Sequence, residues 1–203
     1  MKIDITRICA EAGALANRKG LEGLSMSGLA EALEVRTPSL YSHVCGIADV
    51  RRILALHGLA ELERGAARST VGKSGPEALR ALLTGYRDWV RRNPGIYEAT
   101  IPTPDPSDVE WRAAVDRLSE TCVAAIQSYG LRGDESTHAL RGLRSVVHGF
   151  VSLEAAGAMR GAVERDDSFV WLVDSFLVAM EHMTSRARRA RGEEGLPARP
   201  QSE

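Results

Sequence analysis

Apolar residues recur three and four positions apart along almost the whole chain, and strict alternation of apolar and polar positions is nearly absent. That is the period of an amphipathic helix, and it predicts an all-α protein. The first helix is expected from about Ile3 to Lys19, with Ile5, Ile8, Cys9, Ala12, Leu15 and Ala16 on one face and Gly20 as its stop. Ser25 reads as the N-cap of a short helix carrying Leu29, Ala30 and Leu33. After a three-residue turn, Thr37 can cap a second short helix from Pro38 to about His43, because proline suits the first helical position. Gly46 opens a longer helix to about Ala67, and the small, polar residues 69–76 read as a linker. A helix from Pro76 then aligns Leu79, Leu82, Leu83, Tyr86, Trp89 and Val90 until Asn93-Pro94-Gly95 ends it. Three prolines make residues 100–106 a loop. Ser107 and Glu110 have capping-box spacing ahead of a helix with Trp111, Ala114, Val115, Leu118, Cys122, Ile126 and Tyr129 on one face. Gly130 and Gly133 precede a helix from about Asp134 to Met159, and the last spans about Ser168 to Ala190.

The last helix is apolar over more than one face. Phe169, Leu172, Val173, Phe176, Leu177 and Met180 form one stripe, and Trp171, Ser175, Val178 and His182 form a neighbouring strip. Such a helix is either central within its own subunit or shared with a partner chain. The second reading is preferred: the last two helices, paired with their symmetry mates, would make a four-helix bundle and a homodimer. The interface is then expected from Val147, Val151, Phe169, Leu172, Val173, Phe176, Leu177 and Met180. From Arg186 onward the apolar pattern fades into an arginine-rich run, and the tail 191–203 is expected to be disordered.

With 203 residues, 44% hydrophobic and 26% charged, the chain has the composition of an ordinary globular protein. No apolar run approaches the roughly 20 residues of a membrane span, and the N-terminal residues do not resemble a secretory signal, so a cytoplasmic protein without membrane contact is expected. Cys9, Cys45 and Cys122 are odd in number and far apart, which argues against disulfides and zinc. The five histidines have no partner at metal-ligand spacing, and Val71-Gly72-Lys73-Ser74 lacks the earlier glycine of a phosphate-binding loop. No nucleophile and general-base pair stands out near Glu154 or elsewhere, so neither an enzyme nor a cofactor is expected. The formal net charge is −1, and residues 1–60 hold seven Lys+Arg against six Asp+Glu. A nucleic-acid partner would therefore have to be met by a local surface.

Residues 24–54 hold such a candidate. Two short helices joined by a tight turn form a helix-turn-helix, whose second helix can enter the DNA major groove. Leu29, Leu33, Val35, Leu40 and Val44 would clamp the pair together and leave Arg36, Thr37, Pro38, Ser39, Tyr41 and His43 largely outside. Short helix pairs also occur as plain packing units, and His43 or Tyr41 could instead fold against the following helix.

Gly20, Leu24-Ser25, Leu29-Ala30, Leu33, Val35 and above all Pro38-Ser39-Leu40-Tyr41-Ser42-His43-Val44 resemble the N-terminal region of TetR-type transcriptional regulators. Farther on, Val147-His148-Gly149-Phe150-Val151-Ser152-Leu153-Glu154 with Asp167-Ser168-Phe169 resembles a C-terminal domain type of that family named for a Trp-His-Gly triplet, with Val147 in place of the Trp. Two positions depart from the family pattern: Glu34 stands where the turn normally has Gly, and Ile47 where a phosphate-directed Lys is usual.

The resemblance implies that Arg36, Thr37 and Pro38 face base edges and that Ser39, Tyr41 and His43 hold phosphates, with Ser25 and Ser27 completing the DNA-facing set. It implies an organisation of 1–46 as the DNA-binding domain, 47–68 as a connecting helix and 69–190 as an effector-binding and dimerisation domain. Tyr86, Trp89, Tyr97, Ile101, Trp111, Val115, Leu118 and His148 either fill the core or line a pocket for a small, mostly apolar effector. The function so implied is a repressor released from pseudo-palindromic double-stranded DNA by that effector. The alternative is a helical small-molecule-binding or protein-interaction dimer whose DNA binding is weakened through Glu34 and Ile47.

Overall fold

The computed structural model describes residues 3–193, and their regular structure is entirely helical. Asp4 is extended and its carboxylate accepts the Arg7 N–H at 2.8 Å, so α1 begins at the next residue and runs Ile5–Lys19. The following helices are α2 (Met26–Ala32), α3 (Thr37–Leu40), α4 (Ile47–Thr70), α5 (Gly75–Arg92), α6 (Pro94–Thr100), α7 (Val109–Ile126), α8 (Asp134–Ala155) and α9 (Arg165–Ala190). A single 3-10 turn, Gln127–Tyr129, follows α7. No helix among the described residues is long and apolar enough to cross a membrane.

Several boundaries differ from the sequence reading for identifiable reasons. Thr37 is the first residue of α3 rather than its cap; Arg36 holds the N-cap position without a side-chain bond and Pro38 is the second helical residue. Ser69 and Thr70 bond back to the Ala66 and Ala67 carbonyls and carry α4 past Ala67, which shrinks the linker to 71–74. Pro94 ends α5 and also starts α6, an element absent from the expectation, with Asn93 serving as the hinge residue of both. Asp108, not Ser107, caps α7 by accepting the Trp111 N–H at 3.0 Å, while Ser107 bonds to Asp105. α8 stops at Ala155, ahead of Gly157 with its φ of 65°, and does not reach Met159. Residues 191–193 are not loose: the Arg191 guanidinium donates to Glu135 at 2.9 Å and to the Gly130 carbonyl at 3.2 Å. The rest of the expected disordered tail, 194–203, lies outside the described residues.

One connected core runs through the molecule. Ile8, Leu29, Leu33, Leu40, Val50 and Leu54 fill one end, and Leu79, Leu82, Leu83, Ile126, Val147 and Val151 fill the other. α4 belongs to both, giving Val50 and Leu54 to the first and Leu62 and Ala66 to the second. Its 24 residues reach roughly 36 Å at 1.5 Å per residue. α6 lies across the middle, packed on α1 and α4. A Cβ on Gly95 would stand 2.1 Å from the Ala16 carbonyl oxygen, so α6 meets the C-terminal end of α1 backbone to backbone.

Most of the expected dimer residues lie inside the subunit. Val147, Val151, Phe169, Val173, Leu177 and Met180 are buried within the one subunit, and Leu172 and Phe176 are half-buried against its core. The apolar surface left exposed on α9 belongs to the neighbouring strip: Val170, Trp171, Val178 and Met183, with Trp171 71% exposed. Period 3.6 separates these two faces by sequence position, but only packing decides which of them is the inner one. Beside the outer face, Leu131, His138, Phe176, Met180 and Met183 line a groove of about 380 Å³ between α8 and α9.

A charged cluster joins α5, α8 and α9. Arg87, only 5% exposed, donates to both carboxylate oxygens of Glu154 at 2.6 and 3.0 Å and to Asp166 at 2.7 Å. Its guanidinium also lies over the rings of Phe150 and Phe169, 5.2 and 4.6 Å from their centres.

Candidate functional site

Two regions carry candidate chemistry. The first is the α2–α3 pair. Buried Leu29, Leu33, Leu40 and Val44 hold the two helices on α1 and the start of α4. Ser25 caps α2 by accepting the Gly28 N–H at 3.2 Å, and Ser27 lies 3.3 Å from its hydroxyl. The turn closes with the Val35 N–H on the Ala30 carbonyl and the Glu34 N–H on the Glu31 carbonyl, both at 3.0 Å. This is the double bond of a Schellman motif, which places Glu34 at the position where glycine is favoured. Glu34 has φ 58°, and no other non-glycine described has a positive φ. A left-handed residue with a Cβ costs about 1–2 kcal/mol, part of which glycine would return in unfolded-state entropy. Glu34→Gly is therefore expected to raise stability by about 0.5–1 kcal/mol in urea denaturation.

Arg36, Pro38, Ser39, Tyr41 and His43 are exposed and Thr37 is half-buried. Tyr41 is 56% exposed, so most of its ring is open to solvent. The hydroxyl of Ser42 donates to the Ser39 carbonyl at 2.7 Å and tightens the end of α3. Ile47, at the position of the missing Lys, packs on the core as the first residue of α4.

The second region is a cavity of about 400 Å³ enclosed by α4, α5, α6, α7 and α8. Of the expected pocket residues, Tyr86, Tyr97, Ile101, Val115, Leu118 and His148 line it. Trp89 and Trp111 do not; Trp89 is buried one turn beyond Tyr86, and the Trp111 indole N–H is buried without a partner. Both tryptophans share the helix stripes of true lining residues, so their side-chain types gave no warning. The sequence reading missed Cys122, Arg141 and Arg144 on the lining, and it placed Val147 at the dimer interface rather than here.

The polar wall of the cavity is ordered. The Tyr97 hydroxyl and His148 Nδ1 are 2.6 Å apart, Ser152 lies 3.4 Å from the same nitrogen, and Tyr86 meets Tyr97 edge to face at 5.9 Å. Burial holds the phenol of Tyr86 well above its ordinary value and raises that of Tyr97. Burial also pushes the Cys122 thiol up to about 11. These groups stay protonated at neutral pH and add no negative charge to the wall.

Contacts link the two regions. Tyr97, Thr100 and Ile101 at one side of α6 face the cavity. At the other side, the Asn17 carbonyl oxygen of the side chain accepts the Gly95 and Ile96 N–H groups at 3.0 and 3.2 Å, and Glu98 accepts the Leu21 N–H at 2.9 Å. A second tie joins α4 to α7, where the Arg52 guanidinium donates to Asp108 at 2.8 Å and to Glu110 at 2.8 Å. The Arg52 hydrogen bond holds the Asp108 carboxyl down at about 2.

Comparison with known proteins matches residues 79–176 to the tetracyclin repressor-like, C-terminal domain family. The chain is 30% identical over 175 residues to an uncharacterized HTH-type transcriptional regulator of Mycobacterium tuberculosis, covering 86% of this chain and 80% of that protein. It is 31% identical over 167 residues to another from Bacillus subtilis, covering 82% and 86%. Its fold matches that of a TetR from Acinetobacter baumannii in complex with minocycline, with a TM-score of 0.68 at 24% identity, over 90% of this chain and 99% of that one.

Proposed function

The chain belongs to the TetR family of DNA-binding transcriptional regulators, and from that premise we propose that it is a repressor released from its operator by a small molecule held in the α4–α8 cavity. The observation that carries this reading is α6, which lines the cavity with Tyr97 and Thr100 and is bonded through Gly95 to Asn17 of α1 and through Glu98 to the Leu21 N–H just beyond it. A ligand that shifts α6 must also shift α1 and the helices packed on it. If the shifted form fits DNA less well, the ligand weakens DNA binding, and operator DNA weakens ligand binding by the same factor.

In this reading residues 1–46 form the DNA reader, 47–68 the connecting helix and 69–190 the effector and dimer domain. Arg36 forks onto a guanine edge, Thr37 and Pro38 meet neighbouring bases, and Ser39, Tyr41 and His43 hold phosphates, with Ser25 and Ser27 at the groove edge. The partner DNA is a pseudo-palindrome read by a homodimer. The dimer closes through the outer strip of α9 and the adjoining groove, where Trp171, Val178 and Met183 leave apolar surface uncovered. Its operator would be met in the cytoplasm. Electrophoretic mobility shift with DNA surrounding its own coding region tests the reading. Arg36→Ala is expected to lose about 1–3 kcal/mol on that DNA and to relax preference at one base pair. Equal losses on random DNA would remove Arg36 from base reading.

A second reading is a ligand-binding dimer with little DNA affinity, favoured by the left-handed Glu34 and by the inward Ile47. No retarded band with any flanking DNA would select it.

A further inference from the structure

Resting on the reading of the α4–α8 cavity as the effector site, we propose that its ligand is an amphipathic anion, with an acid group at Arg141 and Arg144 and an apolar body inside. The cavity lining contains these two guanidiniums and no carboxylate. Neither makes an ion pair among the described residues, whereas Arg52, Arg80 and Arg87 are each held by an acid. Arg141 and Arg144 are exposed residues that also line the cavity, so their charges stand where it opens to water.

The positions follow from helix geometry. Thr137, Arg141, Arg144 and His148 are spaced four, three and four residues apart, which sets them along one side of α8. Two guanidiniums one turn apart can take one acid group between them, each with charge-assisted hydrogen bonds. The apolar part of the lining includes Leu59, Leu62, Ile101, Val115 and Leu118. Elsewhere on the lining Tyr97 and His148 satisfy each other at 2.6 Å, and neither brings a carboxylate to receive a cation. Protonated Tyr86 and Tyr97 add no negative charge. A neutral apolar molecule would leave both arginines unused, and a cation would face two like charges at the entrance.

The test compares two fluorescent probes that share a fused aromatic frame: 1-anilinonaphthalene-8-sulfonate, an anion, and N-phenyl-1-naphthylamine, which lacks the sulfonate. Titration of the full chain is expected to show about tenfold tighter binding of the sulfonate. Arg141→Gln with Arg144→Gln should abolish that preference and leave the neutral amine within about twofold, because rim charges contribute little to an uncharged ligand. Leu118→Trp should fill the cavity and exclude both probes. Equal binding of the two probes by the wild type, or a sulfonate affinity unmoved by the double arginine change, overturns the proposal; the wild-type comparison decides this even if the filled variant does not fold. If Leu118→Trp excludes the amine while the sulfonate never had an advantage, the anionic class falls and the cavity reading stands. If both probes survive Leu118→Trp in a folded protein, or neither binds the wild type, the cavity reading falls and the proposal with it.

Discussion

Glu154→Ala is expected to lower the unfolding free energy by about 3 kcal/mol, because it leaves the Arg87 guanidinium buried without its bidentate partner. The Glu154 side chain is itself 9% exposed, so little water reaches the pair. Asp166 still touches Arg87, but it is 71% exposed and supplies a screened contact rather than a replacement. The cost is that of an orphaned charge, not the net worth of the bridge. Removing both charges with Arg87→Met and Glu154→Leu should accordingly recover most of the loss, since apolar residues of similar volume often do as well in such a site. Urea denaturation of the two single variants and the double variant measures this directly. A double variant as unstable as Glu154→Ala would show that the ion pair contributes outright and that burial of the orphan is not the cause.

Gly95→Ala is expected to cost about 2–3 kcal/mol, at the upper end of overpacking. The added Cβ would lie 2.1 Å from the Ala16 carbonyl oxygen and 2.7 Å from the Asn17 nitrogen. Those are backbone atoms of a packed helix, and no rotamer change relieves them. α6 must therefore back away from α1, which lengthens the Asn17 bonds to the Gly95 and Ile96 N–H groups. The proposed signalling route runs through this seat, so the variant should also respond less to ligand in a DNA shift assay. A denaturation midpoint equal to that of the wild type would show that α1 yields and that the contact is not rigid.

The α2–α3 region was legible because its signals are local. Leu29, Leu33, Leu40 and Val44 have one way to face a core at helical spacing, and Ser25 caps the helix that follows it. The position of Glu34 in the turn was legible too, although its sign is adverse. α6 was lost because seven residues beginning Pro-Gly read as a terminator, and the partner that makes them a helix, Asn17, is 78 positions away from Gly95. The same separation hid the Arg87–Glu154 pair, for which no spacing rule exists. In the cavity, periodicity identified the stripes of α5 and α7 but not their depth. Trp89 and Tyr86 sit on one stripe, yet they are offset by most of a turn, and the phenol lines the cavity where the indole does not. On α9 the pattern showed too much apolar surface, yet the face against α8 and the face left open differ by one residue in register.

The continuity of α4 bears on how such a protein can be diversified. Val50 and Leu54 complete the core beneath α2 and α3, the same helix proceeds into Leu62 and Ala66, and the segment just after α1 depends on Glu98 to satisfy the Leu21 N–H. Recombination within a gene family that exchanged residues 1–46 alone would cut through a shared core and leave Asn17 and Gly95 to be matched by chance. The exchangeable cassette is longer, ending beyond α6 at about residue 100, and it carries part of the cavity wall with it. On the proposed reading, a relative that gained a new DNA specificity in this way would gain part of a ligand specificity at the same time.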